Sequence, residues 1–392
     1  MVRVCHVITS LETGGAQSML ARLLAAEQAR EVESTVVSLL PGGALRPRME
    51  ELCPRVFDLG VSRRWPNPLA LPRLVKLLKQ EQPDVVQTWL YHADILGTLA
   101  VRWAKVGALA WNLRCSYGHA APRLFARTAP HVCAKLSGRP AAIITNSTMG
   151  RTSHERIGYR PKRWELIPNG FDLEQLAPLK GARQALLRSL GLSLTSQLVG
   201  MVARLHPVKD HALVVRTMHA LSADFPDAVL VLVGDGLAPG DRGFERLLAS
   251  ATSSIDSLAG SSPRIIGLGP RSDVTALMSG FDVLVSASTH EGFPNVLGEA
   301  LACGTPCVAT DAGDSLALVG EAGRVVSVGD STGFQKALAE ILSMDEAERV
   351  ALGARGREQM LERYSIGGIA RRYVSLWEEL SGAVRKGEAA ER

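Results

Sequence analysis

The chain has 392 residues, of which 46% are hydrophobic and 21% charged, a composition typical of a globular protein with two or three domains. Aromatic residues make up only 5% and do not alternate with basic ones, which argues against a nucleic-acid-binding platform. The charge is uneven, because residues 1–175 hold 23 Lys and Arg against 14 Asp and Glu, or +9, within a total of +5. The basic first half predicts an acidic acceptor, a polyanion or an anionic membrane surface as a partner.

The cellular location is predicted from the lack of a recognisable signal peptide or transmembrane segment in the sequence. The first ten residues, MVRVCHVITS, are too short and too strand-like for a signal peptide, and no run approaches the ~18 apolar residues of a transmembrane helix. The six cysteines are scattered without the paired spacing of a zinc site. We therefore expect a cytoplasmic protein without a metal site, with peripheral contact on the inner face of the membrane through its basic half.

Apolar runs and amphipathic segments alternate along the chain in two successive sets. The first set begins with a buried strand at Val2–Ile8 and a helix at 17–30. A polar segment at 172–194 then interrupts the pattern, and the alternation restarts with a strand at 198–203. Two sets of alternating strands and helices predict an α/β protein with two doubly wound parallel sheets. Ligands should bind beyond the carboxyl ends of the strands, in a cleft that both domains share.

The stretch 282–310, DVLVSASTHEGFPNVLGEALACGTPCVAT, predicts a strand, a Gly/Pro loop, a helix and another strand. The backbone N–H groups at the start of this helix favour an anion, typically a phosphate. Glu291 in the loop and Glu299 in the helix would repel a phosphate, so they suit hydroxyl groups attached to it. This combination predicts a nucleotide-sugar site, although a structural crossover with two solvated glutamates has the same pattern.

Arg204 and Lys209 follow the first strand of the second set, in the sequence VARLHPVKDH. Two cations at the carboxyl edge of a sheet can clamp a diphosphate and stabilise the charge that it gains as a leaving group. The chain has no DxD sequence, the usual metal-holding pair in metal-dependent sugar transfer, so these cations would replace the metal. A surface salt bridge is the structural alternative.

Glycines at several predicted strand ends would let a ligand approach the backbone closely. Gly14 and Gly15 follow the first strand, but the spacing is not GxGxxG, and a tight turn is an alternative. Gly234 and Gly267 end later strands and have the same two interpretations. His92, His119 and Arg114 lie near other strand ends of the first half. A histidine there can contact the sugar or shuttle a proton, although a lone histidine is more often structural, and Arg114 is a candidate to face the diphosphate. At 167–172 the spacing alone supports only a turn, in which Asn169 is a further candidate.

Together these motifs resemble the family 4 glycosyltransferases of the GT-B fold over nearly the whole chain. The matching segments are TGGAQ (13–17), YHADILG (91–97), IPNGFD (167–172), VARLHPVKDH (202–211), LVGDG (232–236), GLGPRSDV (267–274) and EGFPNVLGEALACGTPCVATDAGD (291–314). The last contains the family's Glu-x7-Glu motif.

The resemblance implies a role for each candidate residue. Glu291 would bind hydroxyls of the donor sugar and Glu299 the ribose, while Arg204 and Lys209 hold the diphosphate. Gly14 and Gly15 would line the cleft, and His92 is the candidate histidine of catalysis. Many members have a histidine in the loop after the strand 108–113, and here Arg114, His119 or no residue would fill that role. The amides that would bind the diphosphate are those of Gly292, Phe293, Pro294, Asn295 and Val296.

The resemblance also implies an architecture and a reaction. It predicts two Rossmann-like domains facing a cleft, with an acceptor-side domain at 1–172, a nucleotide-sugar-binding domain at 173–365 and a C-terminal helix at 366–392 that crosses back. The reaction would be a retaining, metal-independent transfer without a cofactor, from a UDP-sugar or a GDP-sugar to a glycan or lipid-linked acceptor of the cell surface. A nucleotide-sugar epimerase and a catalytically silent binding subunit are the alternatives.

Overall fold

The computed structural model describes residues 1–27, 32–62, 67–117, 124–253 and 263–390. Contacts within the chain divide it into two compact units. The first unit contains 1–170 together with the C-terminal segment 366–392, and the second unit contains 171–365. The predicted domain limits at 172 and 365 lie beside these two divisions of the chain.

The first unit contains a parallel sheet of seven strands in the order β3-β2-β1-β4-β5-β6-β7. Since β1 lies between β2 and β4, the direction of winding reverses between β1 and β4, which defines a topological switch point. The strands are β1 Val2–Ile8, β2 Val32–Ser38, β3 Val56–Asp58, β4 Val85–Trp89, β5 Ala108–Leu113, β6 Ala142–Thr145 and β7 Trp164–Leu166.

The second unit repeats this arrangement with six parallel strands in the order β10-β9-β8-β11-β12-β13. Its switch point lies between β8 and β11. The strands are β8 Gln197–Val202, β9 Ala228–Val233, β10 Arg264–Gly267, β11 Val283–Ser286, β12 Cys307–Thr310 and β13 Gly323–Val326.

Helices cover both faces of each sheet, so the central strands are buried on both sides. Every residue of β4, β5, β9, β11 and β12 is buried, which explains why these strands are mostly apolar. The helices are α1 Gly15–Glu27, α2 Arg46–Leu52, α3 Ala70–Glu81, α4 Tyr91–Ala104, α5 Leu124–Leu136, α6 Thr148–Arg156, α7 Ala182–Ser189, α8 His211–Leu221, α9 Arg242–Ser253, α10 Val274–Gly280, α11 Asn295–Ala302, α12 Ser315–Val319, α13 Ser331–Ser343, α14 Glu346–Arg363 and α15 Ile366–Ala390. Among the described helices, none is long and apolar enough to cross a membrane.

The long C-terminal helix α15 packs on the first unit, against α1 and the strands β1, β4 and β5. Two buried aromatic side chains attach it to the sheet. Trp377 Nε1 donates to Gln87 Oε1 at 2.8 Å, and Tyr373 Oη accepts from Asn112 Nδ2 at 3.0 Å. The hydrogen bonds satisfy polar groups that are otherwise excluded from water and fix the helix at one position on the sheet.

The two doubly wound parallel sheets predicted from the sequence are confirmed. Helix α2 at Arg46–Leu52 was not predicted, because it buries only Met49 and therefore has no apolar periodicity. The last helix begins at Ile366 and continues to Ala390, within the predicted segment 366–392.

Candidate functional site

The switch point of the second unit brings together the loops that follow β8 and β11, because these two strands are neighbours. Two contacts tie the loops to each other. Thr289 N donates to Val208 O at 2.8 Å, and Thr289 Oγ1 donates to the same oxygen at 3.3 Å. Loops at a switch point form the crevice in which doubly wound sheets bind ligands.

Lys209 and Glu291 form an ion pair between these two loops, and their side chains are 25% and 15% exposed. Ser288 Oγ donates to the same Glu291 oxygen at 2.8 Å and holds the carboxylate in place. The structure thus brings together two residues that were predicted separately, the diphosphate-binding cation and the sugar-binding acid. Their charges compensate each other within the site.

Local backbone structure places Lys209 at this point. It ends a short 3₁₀ turn, Pro207–Lys209, in which His206 Nδ1 accepts from Val208 N at 3.3 Å. Asp210 follows in the left-handed conformation with φ +43° and caps α8 by accepting from Leu213 N at 3.1 Å. Arg204, at the end of β8, is exposed.

The start of helix α11 differs in part from the prediction that five amides bind a diphosphate. Pro294 has no N–H, and Asn295 N already donates to Phe293 O at 3.0 Å, so these two positions do not supply donors. The Phe293 ring is buried between Phe171 and Tyr364, at ring-centre distances of 6.3 and 6.2 Å. Only the main chain of Phe293 is therefore available to a ligand.

The remaining predicted residues of this helix lie near its first turns. Gly292, Val296 and Glu299 are half-buried. Pro294, the residue before helix α11, makes no side-chain capping hydrogen bond.

Close packing of the backbone accounts for the glycines at 234 and 267. A Cβ atom on Gly234, whose φ is +147°, would lie 2.3 Å from Ala203 O. A Cβ atom on Gly267 would lie 2.2 Å from Leu237 O. Both positions require glycine for packing between strand ends, and a contact with the donor remains a prediction.

In the first unit, the loop after β1 opens helix α1, whose first residue is Gly15. Gln17 Nε2 donates to Ser10 O at 3.2 Å. Its Oε1 would lie 2.5 Å from a Cβ atom on Gly14, so glycine is needed there for the position of Gln17. The contact of Gly14 and Gly15 with a donor stays a prediction.

His92 lies across the switch point from this loop, at the second position of helix α4. It is half-buried, and the desolvation that accompanies burial lowers its pKa below the ordinary value. The neutral imidazole is therefore the dominant form at neutral pH, as a proton acceptor requires.

Arg114 is buried, and its guanidinium lies 5.5 Å from the Trp89 ring. Its Nη1 donates to Ile167 O at 3.0 Å, while Nε and Nη2 have no hydrogen-bond partner among the described residues. Asn169 is buried as well. His119 lies outside the described residues.

Two family models match the chain and cover both units. The model of "Glycosyltransferase Family 4" matches residues 13–175, and that of "Glycosyl transferases group 1" matches residues 196–344. The chain belongs to the group 1, family 4 glycosyltransferases. This membership confirms the predicted family and the prediction that the chain is an enzyme.

Individual relatives of the enzyme agree with this assignment. A "UDP-Gal:alpha-D-GlcNAc-diphosphoundecaprenol alpha-1,3-galactosyltransferase" of Escherichia coli is 27% identical over 281 residues, which cover 69% of this chain and 70% of that protein. The lipopolysaccharide core biosynthesis glycosyltransferase LpsE of Rhizobium meliloti is 26% identical over 371 residues, 93% of this chain and 95% of that protein. Anabaena Alr3699/HepE, solved in complex with UDP, has the same fold, with a TM-score of 0.80 at 22% identity, covering 96% of this chain and all of that one.

Some residues of the enzyme's candidate sites were missed from the sequence. Ser288 holds Glu291, but a serine in a loop carries no recognisable signal. In the first unit, Tyr91 Oη lies 2.7 Å from His154 Nε2 and accepts from Cys115 Sγ at 3.3 Å, which ties the start of α4 to the loop after β5. Tyr91 lies in the segment YHADILG, which was recognised as a family motif, but the sequence did not predict these contacts.

Proposed function

We propose that the enzyme is a retaining, metal-independent glycosyltransferase that moves a sugar from a UDP-sugar to a glycan or lipid-linked acceptor in the synthesis of cell-surface polysaccharide. The name of the Escherichia coli relative contains a UDP-sugar donor and a diphosphoundecaprenol acceptor, and HepE was solved with UDP. These properties belong to the relatives, and they support the same substrate classes here.

The observation that carries the proposal is the Lys209–Glu291 pair at the switch point of the second unit. A bound diphosphate would attract the Lys209 ammonium and leave the Glu291 carboxylate to accept hydrogen bonds from sugar hydroxyls. Lys209 and Arg204 would then neutralise the charge that grows on the leaving diphosphate, which is the usual task of a metal ion. The ribose hydroxyls would be bound by Glu299 and the diphosphate by the N-terminal end of α11.

Retention follows if the acceptor attacks the face of the sugar from which the diphosphate departs. The bond between C1 and the acceptor oxygen forms as the bond between C1 and the phosphate oxygen breaks. The acceptor proton passes to the departing phosphate oxygen. No enzyme carboxylate needs to become a nucleophile in this sequence, and His92 would act on the acceptor side by binding a hydroxyl.

We place the acceptor in a pocket of the first unit, at the carboxyl ends of β1, β2 and β3. Its volume is about 300 Å³, at the lower end of the range of ligand pockets. The pocket combines a carboxylate, two hydroxyls and apolar walls, a mixture that suits the polar and apolar faces of a sugar ring. It is lined by Ser10, Glu12, Leu40, Pro41, Gly42, Gly60, Val61 and Ser62.

Peripheral contact with an anionic membrane is a further part of the proposal. On helix α4, Trp103 is 57% exposed and Leu99, one turn earlier, is 38% exposed. Arg102 lies beside them, so this face offers apolar side chains and a cation to a lipid surface. Sedimentation with anionic liposomes at low and high salt tests this part, and we expect binding that salt weakens.

Thermal denaturation with a panel of nucleotides tests the donor. UDP and at least one UDP-sugar should raise the unfolding temperature in EDTA, because a ligand of the folded state stabilises it by mass action. The anomeric configuration of the product, read by NMR, should match that of the donor. A product of inverted configuration, stabilisation only by GDP compounds, or a strict metal requirement would each overturn the corresponding part of the proposal.

A further inference from the structure

Leu90 has a backbone conformation that leucine rarely adopts. It lies between strand β4 and helix α4, with φ +73° and ψ +155°. This region of dihedral space is essentially reserved for glycine, because a Cβ atom there clashes with the adjacent backbone. Residues held in such conformations cluster at active sites and ligand clamps, and Leu90 directly follows β4 at the switch point of the first unit.

Contacts of the first two turns of α4 hold the strained residue in place. Thr88 Oγ1 donates to the buried Asp94 carboxyl at 2.5 Å, which joins the end of strand β4 to helix α4. Thr98 Oγ1 donates to Asp94 O at 2.6 Å and accepts from Trp111 Nε1 at 3.1 Å, which ties the helix to β5 as well. This chain of bonds lies wholly inside the first unit.

Gly97 brings the same helix unusually close to the strand. A Cβ atom at this position would lie 2.3 Å from Thr88 Cγ2, so the distance between helix and strand is possible only with glycine. Burial raises the pKa of Asp94 well above its ordinary range, while the bond from Thr88 opposes this rise. Burial thus disfavours a charge on this acid, which joins the helix to the strand inside the core.

The conformation of Leu90 makes the turn between β4 and α4 sharp, and this turn determines the position of His92. Only two residues separate it from the end of the strand, so the dihedral angles of Leu90 set the direction in which the first turn of α4 leaves the sheet. His92 thereby stays at the carboxyl edge of β4, and Tyr91 reaches His154 at 2.7 Å. With an ordinary extended conformation at Leu90, the helix would leave the strand in another direction.

We propose that Leu90, Asp94 and Gly97 are positioning residues, and that the strained turn they form holds His92 in the place where it acts on the acceptor. The inference rests on the role proposed above for His92. The three residues touch neither donor nor acceptor in this account, and they act through the backbone of the first turn of α4.

A pair of substitutions separates the strain from the loss of the leucine side chain. Leu90→Ala and Leu90→Gly both remove the side chain beyond Cβ, but only glycine relieves the strain. At an ordinary position glycine is less stable than alanine, whereas here we expect Leu90→Gly to unfold at a higher denaturant concentration than Leu90→Ala. The turnover should follow the same order, because glycine adopts the native dihedral angles without strain, whereas alanine keeps the Cβ clash and lacks the packing of the leucine side chain. We expect Leu90→Ala to be about 10- to 100-fold slower, as for misplaced catalytic groups.

The assay is the release of UDP from UDP-glucose, UDP-galactose and UDP-N-acetylglucosamine, with the donor that the wild-type enzyme turns over fastest. The donor KM should be the same in both variants, because the proposed donor groups lie in the second unit. NMR titration of His92 gives a readout that needs no turnover. In Leu90→Ala its pKa should lie closer to the ordinary value, since a displaced first turn exposes the ring.

Lys105 provides the matched control, because it ends the same helix with φ +54° and is exposed. Lys105→Gly should also be more stable than Lys105→Ala, but the two should turn over equally fast. Equal turnover of the two Leu90 variants, or greater stability of Leu90→Ala, would overturn the positioning proposal. His92→Ala with wild-type turnover would instead remove the role of His92 itself, so the two failures are distinguishable.

Discussion

At the scale of single residues, oppositely charged side chains pair at the candidate site, whereas burial disfavours the charged forms of titratable side chains in the cores. Lys209 and Glu291 are partly exposed and paired, so both are accessible to a ligand. In the cores, by contrast, desolvation keeps His6 of the first unit uncharged. It also raises the pKa values of the buried thiols of Cys5 in the first unit and Cys307 in the second above their ordinary range.

His6 predicts a specific dependence of stability on pH. The ring is fully buried, Trp89 Nε1 donates to its Nδ1 at 3.3 Å, and burial lowers its pKa to about 3. In the unfolded chain a histidine has a pKa of about 6.5, so between about pH 6.5 and 3 the unfolded state binds the extra proton. The free energy of unfolding should therefore fall as the pH decreases through this window.

Replacement of His6 by glutamine tests this sign, because Gln cannot take up a proton. Urea unfolding of the wild-type chain and of His6→Gln should be compared between pH 7 and pH 4. The stability difference between the two proteins should change in favour of the variant as the pH falls. Parallel curves would show that His6 is already protonated in the folded state.

The signals that predicted the donor site were residue types with unusual chemistry in a strand–loop–helix setting. Four charged residues were recognisable because they follow buried apolar strands, where charged side chains are uncommon. They are Arg204, Lys209, Glu291 and Glu299. The pairing of Lys209 with Glu291 was not predictable, since these residues are 82 positions apart and meet only through the order of the strands.

At the scale of elements, the enzyme depends on close contact between helices and strands. The parallel strands were predictable because most of their residues are apolar, and Val2–Ile8 was predicted at its observed limits. The helix α2 and the conformation of Leu90 were not. Leucine carries no sequence signal for positive φ, and the strain is imposed by contacts of Asp94 and Gly97 further along the helix.

Gly97→Ala tests the contact between α4 and β4. The added methyl group would meet Thr88 Cγ2, and overpacking of this kind typically costs about 1–3 kcal/mol. Thr88→Ser removes that methyl group and keeps the hydroxyl that binds Asp94. The double variant should therefore recover part of the lost free energy of unfolding, as measured in urea. Additive losses in the double variant would contradict the contact.

At the scale of the whole molecule, the C-terminal helix completes the first unit although the second unit separates it in sequence. Trp377 and Gln87 form their buried hydrogen bond across 290 positions of the chain. Such connectivity cannot be read from periodicity, and the family resemblance supplied the expectation. Each unit has its own cores on both faces of its sheet.

Trp377→Phe tests the attachment of the helix. The change leaves Gln87 Oε1 without its donor, and an unsatisfied buried acceptor costs about 1–3 kcal/mol. We expect only the first unit to lose stability. Hydrogen exchange measures this loss as reduced protection of the amides of α1 and β4, with the amides of β9 in the second unit as the comparison. Equal loss of protection in β9 would mean that the units do not unfold separately.

Donor binding by a cationic clamp without a metal can be measured by calorimetric titration of UDP into the wild-type enzyme and Lys209→Met in EDTA. Lys180→Met is the control. Lys180 is an exposed lysine of the same unit outside the site. We predict that UDP binds the wild type and the control equally, and that Lys209→Met loses at least about tenfold in affinity, since a charge-assisted contact typically contributes more than 1.4 kcal/mol. Unchanged affinity in Lys209→Met, or binding that appears only when a divalent metal is added, would contradict the account.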